Sequence, residues 1–197
     1  KMIAYQSNNP KWNLSCDQIF MMNLKKGLGE NPDERPQFIS TGKGRTTCSY
    51  FMPDTKHILF GSTHEGGEEC PPAPESDGKY LWAIYDSFDI YVSDLKGNIV
   101  KKLTDQPGYD AEAVVSPKGD KIVFTSTRNG DLDLYTMDID GSNVKQVTFG
   151  LGYDGGAFFS PDGKQLVFRS SRPQTKEEIK EYKDYLSQGL VAPTNME

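Results

Sequence analysis

The feature that most constrains this chain is a repeat. The run from Gly108 to Arg128 returns 44 residues later as the run from Gly152 to Arg172, with no gap between them. Both open on Gly-Tyr-Asp. Ser116-Pro117-Lys118-Gly119 matches Ser160-Pro161-Asp162-Gly163, and Ser126-Thr127-Arg128 matches Ser170-Ser171-Arg172. Each copy reads as strand, tight turn, strand. Self-similarity at about 40–45 residues is the sign of a propeller blade, a four-stranded antiparallel sheet packed beside copies of itself about a common axis. The fold class is therefore all-β. A two-sheet sandwich is the alternative, and the in-register repeat argues against it.

Four units follow from this period. Blade A covers 1–44, blade B 45–107, blade C 108–151 and blade D, incomplete, 152–197. Met2 to Ser7 matches the second strand of blade C, so the chain opens inside a repeat and its natural start is expected upstream. Asp17 to Leu24 reads as a third strand and Gln37 to Ser40 as a fourth, with a charged, Gly/Pro-rich turn from Lys25 to Arg35 between them. In blade B, Met52-Pro53-Asp54-Thr55-Lys56 is a degraded Ser-Pro-Asp-Gly-Lys turn. Its segment from Thr63 to Phe88 is far longer than the matching loop of blade C, and Tyr80 to Tyr85 within it is apolar enough to pack on the blade. In blade C, Asp140-Gly141 supplies the positive φ that a short hairpin needs. In blade D a helix interrupts the pattern. Thr175-Lys176-Glu177-Glu178 forms a capping box, Ile179, Tyr182 and Leu186 recur at helical spacing, and Gly189 can end it, so a helix is predicted over 176–188. The final Asn195-Met196-Glu197 would lead into a third strand. The sum is about thirteen strands, short of the 4–8 full blades that close a ring, so the chain reads as part of a larger, six-bladed ring.

Composition excludes some classes. The net charge of −6 argues against a nucleic-acid surface, and no apolar run is long enough for a membrane span. Cys16, Cys48 and Cys70 show no CxxC spacing. They allow one disulfide and one free thiol, or three buried thiols. Neither a Gly-x-Ser-x-Gly elbow nor an HExxH motif occurs.

In an up-and-down blade the loop between strands two and three lies on the same face as the entry to strand one. All the irregular segments, Asn8 to Cys16, Thr63 to Phe88 and Arg172 to Glu197, fall on that face. So do all three cysteines, which makes a Cys48–Cys70 link conceivable. Variable loops on a rigid scaffold are where binding usually resides. The first strands line the central channel, so Asp110, Glu112 and Asp154 enter near its mouth. Converging carboxylates could hold Ca²⁺, or each Asp could cap its own turn; no cofactor is otherwise expected. Tyr109 and Tyr153 could stack on a sugar or a peptide, or wedge between blades. Arg128 and Arg172 occupy one place in the repeat, where blade B has His64. They could grip a ligand carboxylate bidentately or tie the loop to a neighbouring Asp. Recurrence favours the structural role, since a fold-level task repeats with the blade and a site rarely does. His64 breaks the pattern and is the better functional candidate, whereas His57 reads as a surface residue.

The run Ser160-Pro161-Asp162-Gly163-Lys164 with its Ser-Ser-Arg strand end resembles the WD40-like repeat of TolB-like propellers. Blade C adds Ser126-Thr127-Arg128-Asn129-Gly130, Asp133-Leu134-Tyr135, Met137-Asp138 and Asp140-Gly141-Ser142-Asn143. The resemblance covers blades B to D well and blade A loosely. It implies a bacterial cell-envelope propeller, periplasmic or extracellular, that binds a protein partner. With the loop-rich face read from the blade topology, the first reading is a binding module for a protein or glycan, leaning away from an enzyme. Related propellers form sugar-acid lyases or sit beside peptidase domains. The alternatives are therefore a metal-dependent polysaccharide lyase or hydrolase using His64 and the channel acids, or an accessory propeller gating a peptidase domain.

Overall fold

A computed structural model describes residues 1–25, 36–75, 78–192 and 196. The Gly/Pro-rich turn expected after Lys25 falls almost wholly outside the described residues.

The strands run as the repeat requires. In blade A, β1 (Met2–Ser7) pairs antiparallel with β2 (Gln18–Asn23). In blade B, β3 (Thr46–Phe51) and β4 (His57–Ser62) precede the short β5 (Trp82–Ala83), and β6 (Asp89–Asp94) and β7 (Ile99–Lys102) complete a sheet ordered β3-β4-β6-β7. Blade C repeats this with β8 (Asp110–Val115), β9 (Lys121–Ser126), β10 (Asp133–Asp138) and β11 (Lys145–Gln146). Blade D has β12 (Asp154–Phe159) and β13 (Leu166–Ser170). Helix α1 (Lys176–Leu186) and β14 (Leu190–Val191) follow.

Apolar faces weld neighbouring blades. Leu59, Ile90 and Val92 of blade B bury against Val115, Ile122 and Phe124 of blade C. Val123 and Leu134 of blade C bury against Ala157 of blade D. Each aliphatic side chain so buried contributes roughly 1.5–3 kcal/mol. The inner strands β3, β8 and β12 consequently stand side by side.

A polar latch recurs in blades A, B and C. In blade B the Thr104 hydroxyl donates to Asp89 and accepts the Ile90 N–H, both at 2.9 Å. In blade C, Thr148 does the same for Asp133 and Leu134. In blade A, Ser40 donates to Gln18 at 2.7 Å and accepts the Ile19 N–H at 3.0 Å. The expected fourth strand at Gln37 to Ser40 is reduced to a single Phe20–Phe38 bridge, with the Ile39 and Ser40 N–H groups both directed at Ile19 O, at 2.8 and 3.4 Å.

Two further expectations are corrected. The disulfide joins Cys16 to Cys70, and Cys48 is free; the Cys48–Cys70 link does not form because Cys48 stands on the inner strand β3, facing the channel. Helix α1 ends at Leu186 and not at Gln188, because the N–H groups of Gln188 and Gly189 donate to Tyr185 O and Leu186 O, three residues back, so the last turn tightens out of the α-helical ladder. Its capping box is present, with the Glu178 N–H donated to Thr175 Oγ1 at 3.1 Å and the Thr175 N–H to Glu178 at 3.0 Å. Met196 bridges Ser171 beside β13.

The long segments do not stand out as separate loops. β5 from blade B pairs with β14 from the end of the chain, Leu190 against Ala83 and Val191 against Trp82. Trp82, Ile84 and Tyr109 pack with Tyr153, Tyr182 and Val191 into one apolar cluster. Lys79 ties the same segment to Glu181 at 2.5 Å and to the Tyr185 hydroxyl at 2.9 Å. At its other end the disulfide fixes Cys70 to blade A. The blade B insertion is thus a strap, stretched from blade A to the helix of blade D across the loop-rich face.

Candidate functional site

The repeated arginines serve the scaffold. Arg128 Nη2 donates to both oxygens of Asp110, at 3.0 and 2.9 Å. Arg172 Nη2 donates to both oxygens of Asp154, at 2.6 and 2.8 Å. In both cases the partners are 18 residues apart and pin the loop after strand two to the entry of strand one. The carboxylates are fully buried, so desolvation raises both pKa values, opposed by hydrogen bonds that include the arginine's. Arg128 also lies 4.9 Å over the Tyr135 ring.

Blade B keeps the position and changes the chemistry. Thr46 stands where Asp110 does and His64 where Arg128 does. The His64 ring lies 4.4 Å from Tyr91, the counterpart of Tyr135, and its Nδ1 is 2.9 Å from Ser62 Oγ. Burial lowers its pKa. It substitutes for the arginine as a packing group on the rim.

The acids and the histidine therefore do not converge. Asp110 and Asp154 are each engaged by an arginine, and no group of three or more His, Cys, Asp or Glu side chains placed to hold a metal occurs among the described residues. These side chains do not fit a calcium ion at the channel mouth.

A different convergence lies on the inner strands. Each carries a β-bulge, between Thr47 and Ser49, between Ala111 and Val114, and between Gly155 and Phe158. At the same place in every bulge the chain takes the left-handed conformation: Cys48 at φ 46°, Glu112 at 58° and Gly156 at 59°. For a non-glycine residue this conformation costs about 1–2 kcal/mol, and bulges re-aim a side chain. Here the backbone repeats and the side chain does not.

Glu112 is tightly held. One oxygen accepts the Gly156 N–H at 2.6 Å and the Thr125 hydroxyl at 3.1 Å, and the Tyr153 hydroxyl donates to the carboxylate at 3.0 Å. Burial, with Glu112 next, raises the Tyr153 and Tyr109 pKa values. Both tyrosines thus stay protonated donors, wedged between blades. Because Gly156 has no side chain, Arg169 from β13 lies over it; a Cβ there would sit 3.0 Å from Arg169 Nη2. Arg169 also lies 5.5 Å over the Trp82 ring of the strap. Burial, then Glu112, raises the pKa of the Cys48 thiol, although the residue as a whole is exposed.

These groups surround one cavity of ≈ 510 Å³. Its walls are the bulges with Cys48 and Glu112; Tyr80 and Trp82 of the strap roof it, and Arg169 closes one side. Of the residues singled out from sequence, Tyr109 and Glu112 line it; Asp110, Asp154, Arg128, Arg172 and His64 do not. Cys48, Trp82 and Arg169 were missed as site residues. One signal was available: the third residue of strand one changes from Cys to Glu to Gly while its neighbours keep the pattern.

A family model for the TolB β-propeller domain matches residues 72–190. The chain belongs to this family. Two solved TolB structures share its fold. One, described as a TolB from Agrobacterium tumefaciens, superposes with a TM-score of 0.61 at 22% identity over 89% of this chain. TolB from Acinetobacter baumannii gives a TM-score of 0.61 at 26% identity, again over 89%. The chain spans 52% of the first protein's length and 36% of the second's. No curated protein sequence matches. The strand pairings and these superpositions make this TolB-family chain a set of propeller blades. No helix among its described residues is long and apolar enough to cross a membrane.

Proposed function

We propose that this TolB-family propeller is a non-enzymatic binding module of the bacterial cell envelope, periplasmic or extracellular, that holds a protein or glycan partner at its loop-rich face. The observation that carries the reading is the set of three left-handed bulge positions, which present a thiol, a carboxylate and, over a glycine, a guanidinium to one roofed cavity. Strained backbone holding dissimilar side chains around a concavity is the pattern of a recognition site. The Cys16–Cys70 disulfide supports an oxidising compartment.

A photo-crosslinking amino acid at Tyr80, on the strap, tests this against one at Lys118, in the short turn of the opposite face. With the protein exported to the periplasm, adducts are expected from position 80 and not from 118. Equal labelling, or adducts from 118 alone, would remove the assignment of the face.

A further inference from the structure

Arg169 differs from the other strand-end arginines. Arg128 and Arg172 are each neutralised by the aspartate of their own blade. Among the described residues Arg169 has no ion pair, and the carboxylate nearest its side of the cavity, Glu112, is already engaged by Tyr153, Thr125 and the Gly156 N–H. Arg169 is an exposed residue, and its Cζ lies 5.5 Å over the Trp82 ring. An arginine held against an indole face keeps N–H donors free, and its planar fork matches a carboxylate.

The surroundings define what the carboxylate is attached to. Tyr80 is 71% exposed and meets Trp82 edge-on at 6.0 Å, leaving a bare aromatic surface at the cavity rim. A cavity of ≈ 510 Å³ suits a ligand of one or two rings. An extended peptide would be read by pairing with a strand edge, and the bulges interrupt the free edges of β3, β8 and β12 at the depth of the cavity. The geometry points to a subsite for a carboxylate carried on a six-membered ring, gripped by Arg169 with its ring against the strap aromatics. Its source is a sugar acid or an aromatic acid. This rests on the loop-rich face being the binding face.

The test is a titration of the full chain with sodium glucuronate and, separately, sodium benzoate, followed by tryptophan emission and by backbone amide shifts. Glucose, benzyl alcohol and acetate serve as controls. One of the two ring acids is expected to bind with a Kd of about 1–10 mM, the range of a single charge-assisted contact plus one stacked ring. Binding quenches Trp82 emission and moves the amides around Gly156. Arg169→Gln weakens it by about tenfold or more while leaving the melting temperature near that of the parent chain, because the side chain is exposed; Arg169→Lys recovers part of the loss. Which acid binds distinguishes the two sources. If neither ring acid binds at tens of millimolar, or if Arg169→Gln binds as well as the parent, the inference fails. It also fails if acetate, or a short Asp-containing peptide, matches the ring acids. A neutral sugar that moves the same amides in both forms would end the carboxylate claim and leave the binding face standing. Crosslinks confined to position 118 would end both.

Discussion

The Glu112 carboxylate accepts the backbone N–H of Gly156 at 2.6 Å, so the left-handed residue of one blade is bonded directly to the left-handed residue of the next. This bond needs open space at its neighbour. A Cβ on Gly155 would overlap both the Tyr153 hydroxyl and the Glu112 carboxylate.

Gly155→Ala is accordingly expected to destabilise the chain by about 1–3 kcal/mol, within the range for overpacking a filled site. Denaturant midpoints measure this. Combined with Glu112→Ala, which is itself destabilising because it strands the Gly156 N–H and the Tyr153 hydroxyl, the loss should be smaller than the sum of the two single losses, because one of the two clashing partners is gone. A double variant no better than the sum of its parts would show that the collision is not what matters.

The Asp–Arg pairs predict a graded pH response. Arg128→Ala strands a buried carboxylate and should cost about 3–5 kcal/mol near neutral pH. Arg172→Ala should cost less, since the Arg172 side chain is 33% exposed against 17% for Arg128. Burial raises the folded-state pKa of Asp110. A carboxyl with a raised folded pKa binds its proton more tightly when folded. Its contribution to stability therefore grows as pH falls through the folded value, and is complete below the unfolded one. Without the arginine the folded pKa climbs further, so the Arg128→Ala deficit should shrink on acidification. Urea midpoints across pH read this out, and a deficit independent of pH would contradict it.

The disulfide gives a third outcome. Cys16 and Cys70 are 54 residues apart, and closing a loop of that length constrains the unfolded chain by about 4 kcal/mol. Reduction should lower the denaturant midpoint accordingly. A non-reduced peptide map should return Cys48 alkylated and Cys16 joined to Cys70. Recovery of Cys48 in a disulfide would overturn the pairing.

Local chemistry made much of the fold legible. Ser116-Pro117-Lys118-Gly119 specifies its hairpin, and the structure closes it with the Gly119 N–H on Ser116 O at 2.9 Å. Thr175 and Glu178 announce the helix. The recurrence of Arg128 and Arg172 favours a structural role, and both are ion-paired to their own blades. What stayed hidden depends on distant pairings. The β5–β14 contact joins two-residue strands from different blades, too short to leave a periodic signal. Arg169 aligns with Thr125 of blade C and reads as an ordinary strand position until the missing side chain of Gly156 opens its path. The cysteine partners could not be chosen because the bulge that holds Cys48 on the channel wall is a backbone feature, which sequence spacing does not report.

The bulges carry one more implication. Each is an interchangeable socket: the scaffold dictates where its occupant points but hardly what that occupant is. A duplicated unit can therefore acquire a new contact by a single substitution, without redesigning the strand beneath it. Diversity of ligands among relatives should concentrate at these sockets, while the ion pairs a few residues away remain alike.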